Sequence, residues 1–324
     1  MSEAGREREV GSTGFAAGFT AGAPMDRYLA DPAVSASLLW KLHDETPAHV
    51  LDYLRLPEPP SSDAQELGNV VHTAVFEPLE FDDRYVILGQ CAGRKKDGDR
   101  CAYQGGIYRD GESYCKTHDP YKGAPEAEGI YTVAGPLKDA ALRMKTALLA
   151  HPTAGELLRS PGPREVVGCW QDPVTGLWCR IRPDLLLEDD PGVRPEFQWA
   201  DVNLKTTAWP AKPGRYPGKD EQRCKTAFKA AFYRTGLREL WDVEPQWTFH
   251  AVVESTGGHQ VAVHRINHMA MTIAEGWVRE ALGTLARCVE SGRWPGYGAE
   301  IHDVNLSEWR LKQVHDIDFI MGAA

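Results

Sequence analysis

The chain has 324 residues, 42% hydrophobic, 25% charged and 9% aromatic, which suits a folded protein of one large or two modest domains and excludes a disordered chain, a collagen-like fibre or a disulfide-dense miniprotein. Its formal net charge of −10 argues against a basic coat over the whole surface. No run approaches the roughly 18 apolar residues that a spanning helix requires, and Met1 to Ala23 has no apolar h-region, so the expectation is a cytoplasmic protein with no secretory signal and no membrane partner.

Residues 1–24 read as a disordered tail, because Gly-Ser-Thr-Gly and Ala-Gly-Ala-Pro offer little to bury. A helical part follows over 25–88. Ser37 reads as the N-cap for Leu38, Leu39 and Leu42, a second amphipathic turn carries Val50, Leu51 and Leu54, and Pro-rich residues 57–60 form a loop. Gln65 to Phe76 reads as a buried helix with His72 among Val70, Val71 and Ala74. Residues 89–126 are polar, glycine-rich and poor in aliphatics, and so form an inserted module; regular structure over 127–324 resumes with a helix near Leu137 to Leu149.

The centre reads as strands. Glu165 to Gln171 and Leu177 to Leu187 flank the turn at Asp172 to Gly176, and Phe197 to Lys205 is a third strand. A helix at Thr226 to Thr235 precedes strands at Thr248 to Glu254 and Gln260 to Ile266. The last long helix runs from about His268 to Ser291, with an apolar stripe through Ile273, Trp277, Ala281, Leu285 and Val289. Strands in the middle with helices before and after imply an α/β or α+β sandwich.

Chemistry concentrates in Gly68-Asn-Val-Val-His72, Glu165, Arg182-Pro183-Asp184 and Asp201-Val-Asn203-Leu-Lys205-Thr-Thr. Side chains alternate along a strand, so Asp201, Asn203 and Lys205 share a face; Asp184 on a paired strand would join them. Two carboxylates and an amide suit a hard cation such as Mg²⁺ or Mn²⁺, and an ammonium beside it can stabilise charge growing on a phosphorane. Between Lys205 and Arg238 nine basic residues face only Asp220 and Glu221, enough to draw a polyanion to one place in an acidic chain.

The ordered set resembles the PD-(D/E)XK nucleases, specifically the phage and prophage RecE-like exonucleases. The resemblance runs from about Tyr28 to Gln313, apart from the insert. It is carried by Ser35-Ala-Ser37-Leu with Thr46-Pro-Ala-His49, and by Gly68-Asn-Val-Val-His72 leading to Glu77-Pro78 and later Glu165. Thr175-Gly176 with Arg182-Pro183-Asp184, Leu204-Lys205-Thr206-Thr207 and Ala230-Ala-Phe-Tyr233 follow, then Val252-Val-Glu254 and Gly292-Arg-Trp-Pro-Gly-Tyr297.

The resemblance implies a restriction-endonuclease-like α/β core, a central mixed sheet flanked by helices, and a metal-dependent deoxyribonuclease. Its catalytic residues would be Lys205, Asp184, Glu165 and His72. Asp184, Asp201, Asn203 and His72 would hold Mg²⁺ or Mn²⁺, with Glu165 supporting that shell. Lys212, Arg215, Lys219, Arg223, Lys225 and Lys229 would grip the DNA backbone. Implied partners are duplex DNA ends and a single-strand annealing protein, in 5′ to 3′ digestion during phage-type recombination in a bacterial host. Relatives often form homo-oligomeric rings. Two residues depart from the family pattern. Asn203 replaces an acid two residues before the lysine, and Lys229 replaces a glutamine. They leave open a catalytically degenerate DNA-binding protein, and an endonuclease or single-strand nuclease is a third alternative.

Within the insert, Cys91, Cys101, Cys115 and His118 have the spacing Cys-x9-Cys-x13-Cys-x2-His. Three thiolates and an imidazole suit structural Zn²⁺, which can hold a polar loop together. An iron–sulfur cluster fits poorly because the fourth ligand is histidine. Arg94, Lys95, Lys96 and Arg100 place positive charge near the same loop.

Overall fold

The computed structural model describes residues 10–56, 62–122, 129–301 and 303–304. Residues 1–9 of the expected tail and the loop at 57–60 lie outside the described residues. In chain order the elements are β1 (Gly18–Thr20), α1 (Met25–Ala30), α2 (Ala36–Asp44), α3 (Pro47–Arg55), α4 (Asp63–Phe76), α5 (Phe81–Arg84) and β2 (Tyr85–Val86). Next come β3 (Ile107–Arg109), β4 (Glu112–Tyr114), β5 (Tyr131–Thr132), α6 (Gly135–Ala150), α7 (Pro152–Arg159), β6 (Val167–Gln171), β7 (Trp178–Ile181) and β8 (Leu185–Leu187). The last are β9 (Ala200–Thr207), α8 (Asp220–Trp241), β10 (Trp247–Glu254), β11 (Val261–Arg265) and α9 (His268–Ser291).

A mixed four-stranded sheet in the order β11-β10-β9-β8 forms the centre, with β9 and β10 parallel and both outer pairings antiparallel. Period-2 alternation gives this sheet two different faces. Val202 and Leu204 of β9, with Phe249, Ala251 and Val253 of β10, pack against Val70, Val71 and Ala74 of α4 and Met144 and Leu148 of α6. The opposite face of the same two strands carries Asp201, Asn203, Lys205, Thr248 and His250. That polar face is turned toward α8, whose Phe228, Ala231 and Phe232 join a second core with α2, α9 and the β6–β7 hairpin.

The segment expected to run as one strand from Leu177 to Leu187 divides into β7 and β8, which belong to different sheets. Pro183 lacks a backbone N–H and interrupts the ladder there, so Arg182-Pro183-Asp184 forms the corner between the two sheets. Residues 10–24, expected to be disordered, are packed. Gly18 to Thr20 pair antiparallel with Val167 to Cys169, and Phe15 and Ala23 are buried against Val167 and Cys169. Val10 and Phe15 anchor this stretch despite its glycine content.

Two smaller differences have local causes. Helix α2 is capped by Ser35, whose Oγ accepts from Leu38 N at 3.3 Å, so Ser37 lies inside the first turn. In α9 the buried stripe is Met271, Ala274, Val278, Ala281, Leu282, Leu285 and Cys288, one step round from the expected one; Ile273 is exposed.

Within the insert, β3 and β4 form an antiparallel hairpin. The chain leaves the core at β2 and returns at β5, and these two strands pair in parallel at Tyr85–Tyr131 and Val86–Thr132. Among the described residues, no helix is long and apolar enough to cross a membrane.

Candidate active site

At the Arg182–Asp184 corner three ligand groups converge. One ligand atom each from His72, Glu165 and Asp184 lies within 4.8 Å of the others. His72 reaches the corner from α4, with Nδ1 3.5 Å from Glu165 Oε1 and Nε2 3.7 Å from Asp184 Oδ2. Its Nε2 is also 2.9 Å from the Leu204 carbonyl oxygen. Burial works to lower the His72 pKa, but the Asp184 and Glu165 carboxylates outweigh it and hold the imidazole above its usual value.

Glu165 adopts a left-handed backbone with φ of 50°, and its N–H donates to the Asp184 carbonyl at 3.2 Å. For a residue with a Cβ that conformation costs roughly 1 kcal/mol or more, so the corner holds Glu165 in place against its own preference. Arg182 Nε donates to Glu165 Oε2 at 2.9 Å, and Arg182 Nη1 donates to the Ala23 carbonyl at 2.8 Å. Burial raises the Glu165 pKa, but His72 and Arg182 more than offset this and keep it low.

Asp184 Oδ2 accepts from Leu204 N at 2.6 Å and lies 3.8 Å from Lys205 Nζ. The antiparallel register explains this placement. Leu185 pairs with Val202 and Leu186 with Asp201, so continuing the ladder by one residue sets Asp184 level with Asn203 rather than with Asp201. Asp201, expected beside Asp184, is therefore not in the converging trio, and Glu165 takes that place. Asp201 is 1% exposed; its Oδ2 accepts from Asn203 Nδ2 at 2.8 Å, and its Oδ1 has no hydrogen-bond partner among the described residues. Burial and then the nearby Asp184 push its pKa up to about 7. Asn203 Oδ1 in turn accepts from Lys205 Nζ at 3.0 Å.

Asp201, Asn203 and Lys205 floor a cavity of ≈ 320 Å³ whose opposite wall is α8, with Lys225 and Lys229 on that wall and Ser35 and Ser37 at its side; His72, Glu165 and Asp184 lie outside its lining, and Lys205 joins the two. Lys229 Nζ donates to Ser37 Oγ at 3.0 Å. Burial, with Lys225 and Lys205 nearby, lowers its pKa to about 8. Lys212, Arg215, Lys219 and Arg223 do not line this cavity. They are exposed on the loop from 208 to 219 and the first turn of α8, where Arg223 Nη2 donates to the Gly214 carbonyl at 2.8 Å. That loop is anchored by Tyr216, whose hydroxyl is 2.8 Å from His250 Nδ1. Arg234 and Arg238, counted in the basic run, are held at the far end of α8 by Glu244 and Glu275.

In the sequence Arg182 stands out only as part of the Arg182-Pro183-Asp184 motif, with no task of its own. It lies two residues from Asp184, and the break at Pro183 leaves it clamping the neighbouring acid. The Ser37 hydroxyl and the Tyr216–His250 pair were also missed, since nothing in their local pattern distinguishes them from ordinary cap and core residues.

The insert brings its four candidate ligands together. One atom each from Cys91, Cys101, Cys115 and His118 lies within 4.8 Å of the others. Cys115 Sγ is 3.4 Å from His118 Nδ1, Cys91 Sγ is 3.6 Å from the same nitrogen, and Cys101 Sγ is 4.0 Å from Cys115 Sγ. Tetrahedral thiolates at the usual zinc–sulfur distance sit about 3.8 Å apart, close to these spacings. Burial tends to raise the Cys115 thiol, yet N–H groups of His118 and Thr117 bring it down to about 6, toward the thiolate that a metal binds.

No curated protein matches the chain. In fold it is similar to a crystal structure from Eubacterium rectale named as a "putative exonuclease", with a TM-score of 0.51 at 12% identity over 86% of this chain and 92% of that one. The family model described as a PDDEXK-like domain of unknown function, DUF3799, matches residues 35–305. Together with the corner of carboxylates, imidazole and lysine described above, that match over most of the chain places it in the PDDEXK-like family.

Proposed function

We propose that this protein is a metal-dependent exonuclease that hydrolyses phosphodiester bonds at the ends of duplex DNA. The observation that carries the proposal is the convergence of His72, Glu165 and Asp184 with Lys205 3.8 Å from the last, Lys205 itself lining a cavity with two further lysines. Two carboxylates, an imidazole and the adjacent Leu204 carbonyl are a donor set that fits Mg²⁺ or Mn²⁺. When bound, such an ion supplies an activated water and neutralises charge on the phosphate oxygens.

The chain's own residues do the rest. Arg182 fixes the Glu165 carboxylate from behind, and the Leu204 N–H fixes that of Asp184. Lys205, steadied by Asn203 Oδ1 and Asp184, directs its remaining N–H groups at the scissile phosphate. Lys225 and Lys229 neutralise the adjoining backbone, and Lys212, Arg215, Lys219 and Arg223 extend that positive track outside the cavity.

Digestion from 5′ to 3′, a single-strand annealing partner, a ring assembly, a phage-type recombination role and action inside a bacterial cytoplasm belong to the same proposal, on the resemblance alone. In the insert, Cys91, Cys101, Cys115 and His118 hold structural Zn²⁺. A second reading, a DNA-binding relative without catalysis, is favoured by Asn203 standing where the resemblance expects an acid and by Lys229 reaching the same cavity. Linear and covalently closed duplexes with Mg²⁺ or Mn²⁺ separate the readings. The exonuclease degrades linear DNA and spares circles, an endonuclease cuts both, and a binding protein shifts the mobility of DNA that stays intact.

A further inference from the structure

The buried carboxylate of Asp201 is not accounted for by the converging trio. We propose that Asp201 is a positioning residue: it locks the Asn203 amide so that its oxygen faces Lys205, and the Asp201–Asn203 pair does the work of a single carboxylate beside the lysine. This inference rests on the nuclease reading for its consequence but not for its geometry.

The chemistry of the two neighbours fixes the direction of the amide. Lys205 Nζ can only donate, so the atom 3.0 Å from it must be the amide oxygen. With the oxygen turned to Lys205, the amide nitrogen is left facing Asp201 Oδ2, 2.8 Å away, and donates to it. Asp201 reaches this position because β9 returns it to the same face one pleat deeper, where β10 contributes Thr248 directly opposite. A carboxylate that is 1% exposed with one oxygen unpartnered among the described residues is an expensive way to fill space, and a leucine there would pack more cheaply. The chain of hydrogen bonds from Lys205 through Asn203 to Asp201 polarises the amide and keeps its oxygen aimed at the ammonium.

Two measurements on the full chain test this. The sequence contains four asparagines (Asn69, Asn203, Asn267, Asn305), so ¹⁵N-asparagine labelling gives four side-chain amide signals, and that of Asn203 is identified by its loss in Asn203→Asp. Asp201→Leu removes the acceptor and keeps the branch at Cγ. Exchange of the Asn203 amide protons is expected to accelerate at least roughly 10-fold while the Asn69 and Asn267 signals hold, since only the local opening is changed. Turnover on linear duplex with Mg²⁺ is expected to fall roughly 10- to 100-fold with KM for DNA little altered, as for other groups that orient a site residue. The swap Asp201→Asn with Asn203→Asp is expected to recover most of that loss, because it puts a carboxylate at Lys205 and an amide behind it. Unchanged exchange at Asn203 in Asp201→Leu overturns the lock. Accelerated exchange with turnover within about twofold of the natural protein, or a swap no better than Asp201→Leu, overturns its role toward Lys205. A natural protein that degrades no DNA yet shows the expected exchange refutes the nuclease reading and leaves the lock standing.

Discussion

At the residue scale, Lys205 and Asp184 carry the sharpest expectations. Lys205→Ala leaves Asn203 Oδ1 and Asp184 without their ammonium partner, and Asp184→Asn removes one of the two carboxylates in the trio. Each is expected to lower turnover on linear duplex by at least roughly 100-fold while DNA binding persists within a few-fold, read by rates and gel shifts side by side. Lys229 gives a test in pH. Its folded pKa of about 8 is below that of a free lysine, so it loses its proton earlier in the folded protein than in the unfolded one. Above pH 8, and up to the unfolded value of about 10.4, deprotonation favours the folded state; at pH 7 the buried charge is a penalty. Duplex binding without divalent metal is therefore expected to weaken as pH rises through 8. In Lys229→Gln this step should be absent and the melting temperature at pH 7 raised. These residues were legible to different degrees. Asp184 and Lys205 were marked by motif and spacing. Asp201 was legible as a face but not as a depth, because the register that sets Asp184 opposite Asn203 depends on where β8 starts, and that is decided by Pro183 and by pairing across two sheets.

At the scale of elements, the insert is expected to depend on its cysteines more than on burial. Its hairpin strands have three residues each, and Cys91 and Cys101 are its buried sulfur-bearing residues. Protein purified without chelator is expected to contain roughly one equivalent of zinc by elemental analysis. Cys115→Ser or exhaustive chelation should remove it and open residues 89–126 to limited proteolysis. A central core that keeps its melting transition in that experiment would show the insert to be a separate cooperative unit, as its entry and exit through β2 and β5 suggest. Periodicity gave α9 over His268–Ser291 as expected, but marked only Thr226 to Thr235 of α8, which runs Asp220–Trp241. It missed α7, which is only eight residues long and begins with Pro152, too short for a repeat of 3.6 to register.

At the scale of the whole molecule, residues 10–27 are part of the architecture. Val10 and Phe15 are buried, and β1 extends the β6–β7 hairpin into a three-stranded sheet. Removing residues 1–24 is expected to cost about 3 kcal/mol from these two side chains alone, visible as an earlier denaturant midpoint. It should also lower turnover in what remains folded, because Arg182 loses its Ala23 acceptor. Composition hid this: a segment rich in glycine and alanine reads as a tail unless the two large apolar side chains have a surface waiting for them, and that surface is built some 150 residues later.

The Ala23 contact has a consequence for how such proteins diverge. The arginine that steadies Glu165 is gripped by a main-chain oxygen, and any amino acid at that position would offer the same atom. Selection there acts on the route of the polypeptide and on a side chain small enough to stay buried, so an equivalent segment in a related chain would be found by tracing the backbone sooner than by comparing residues.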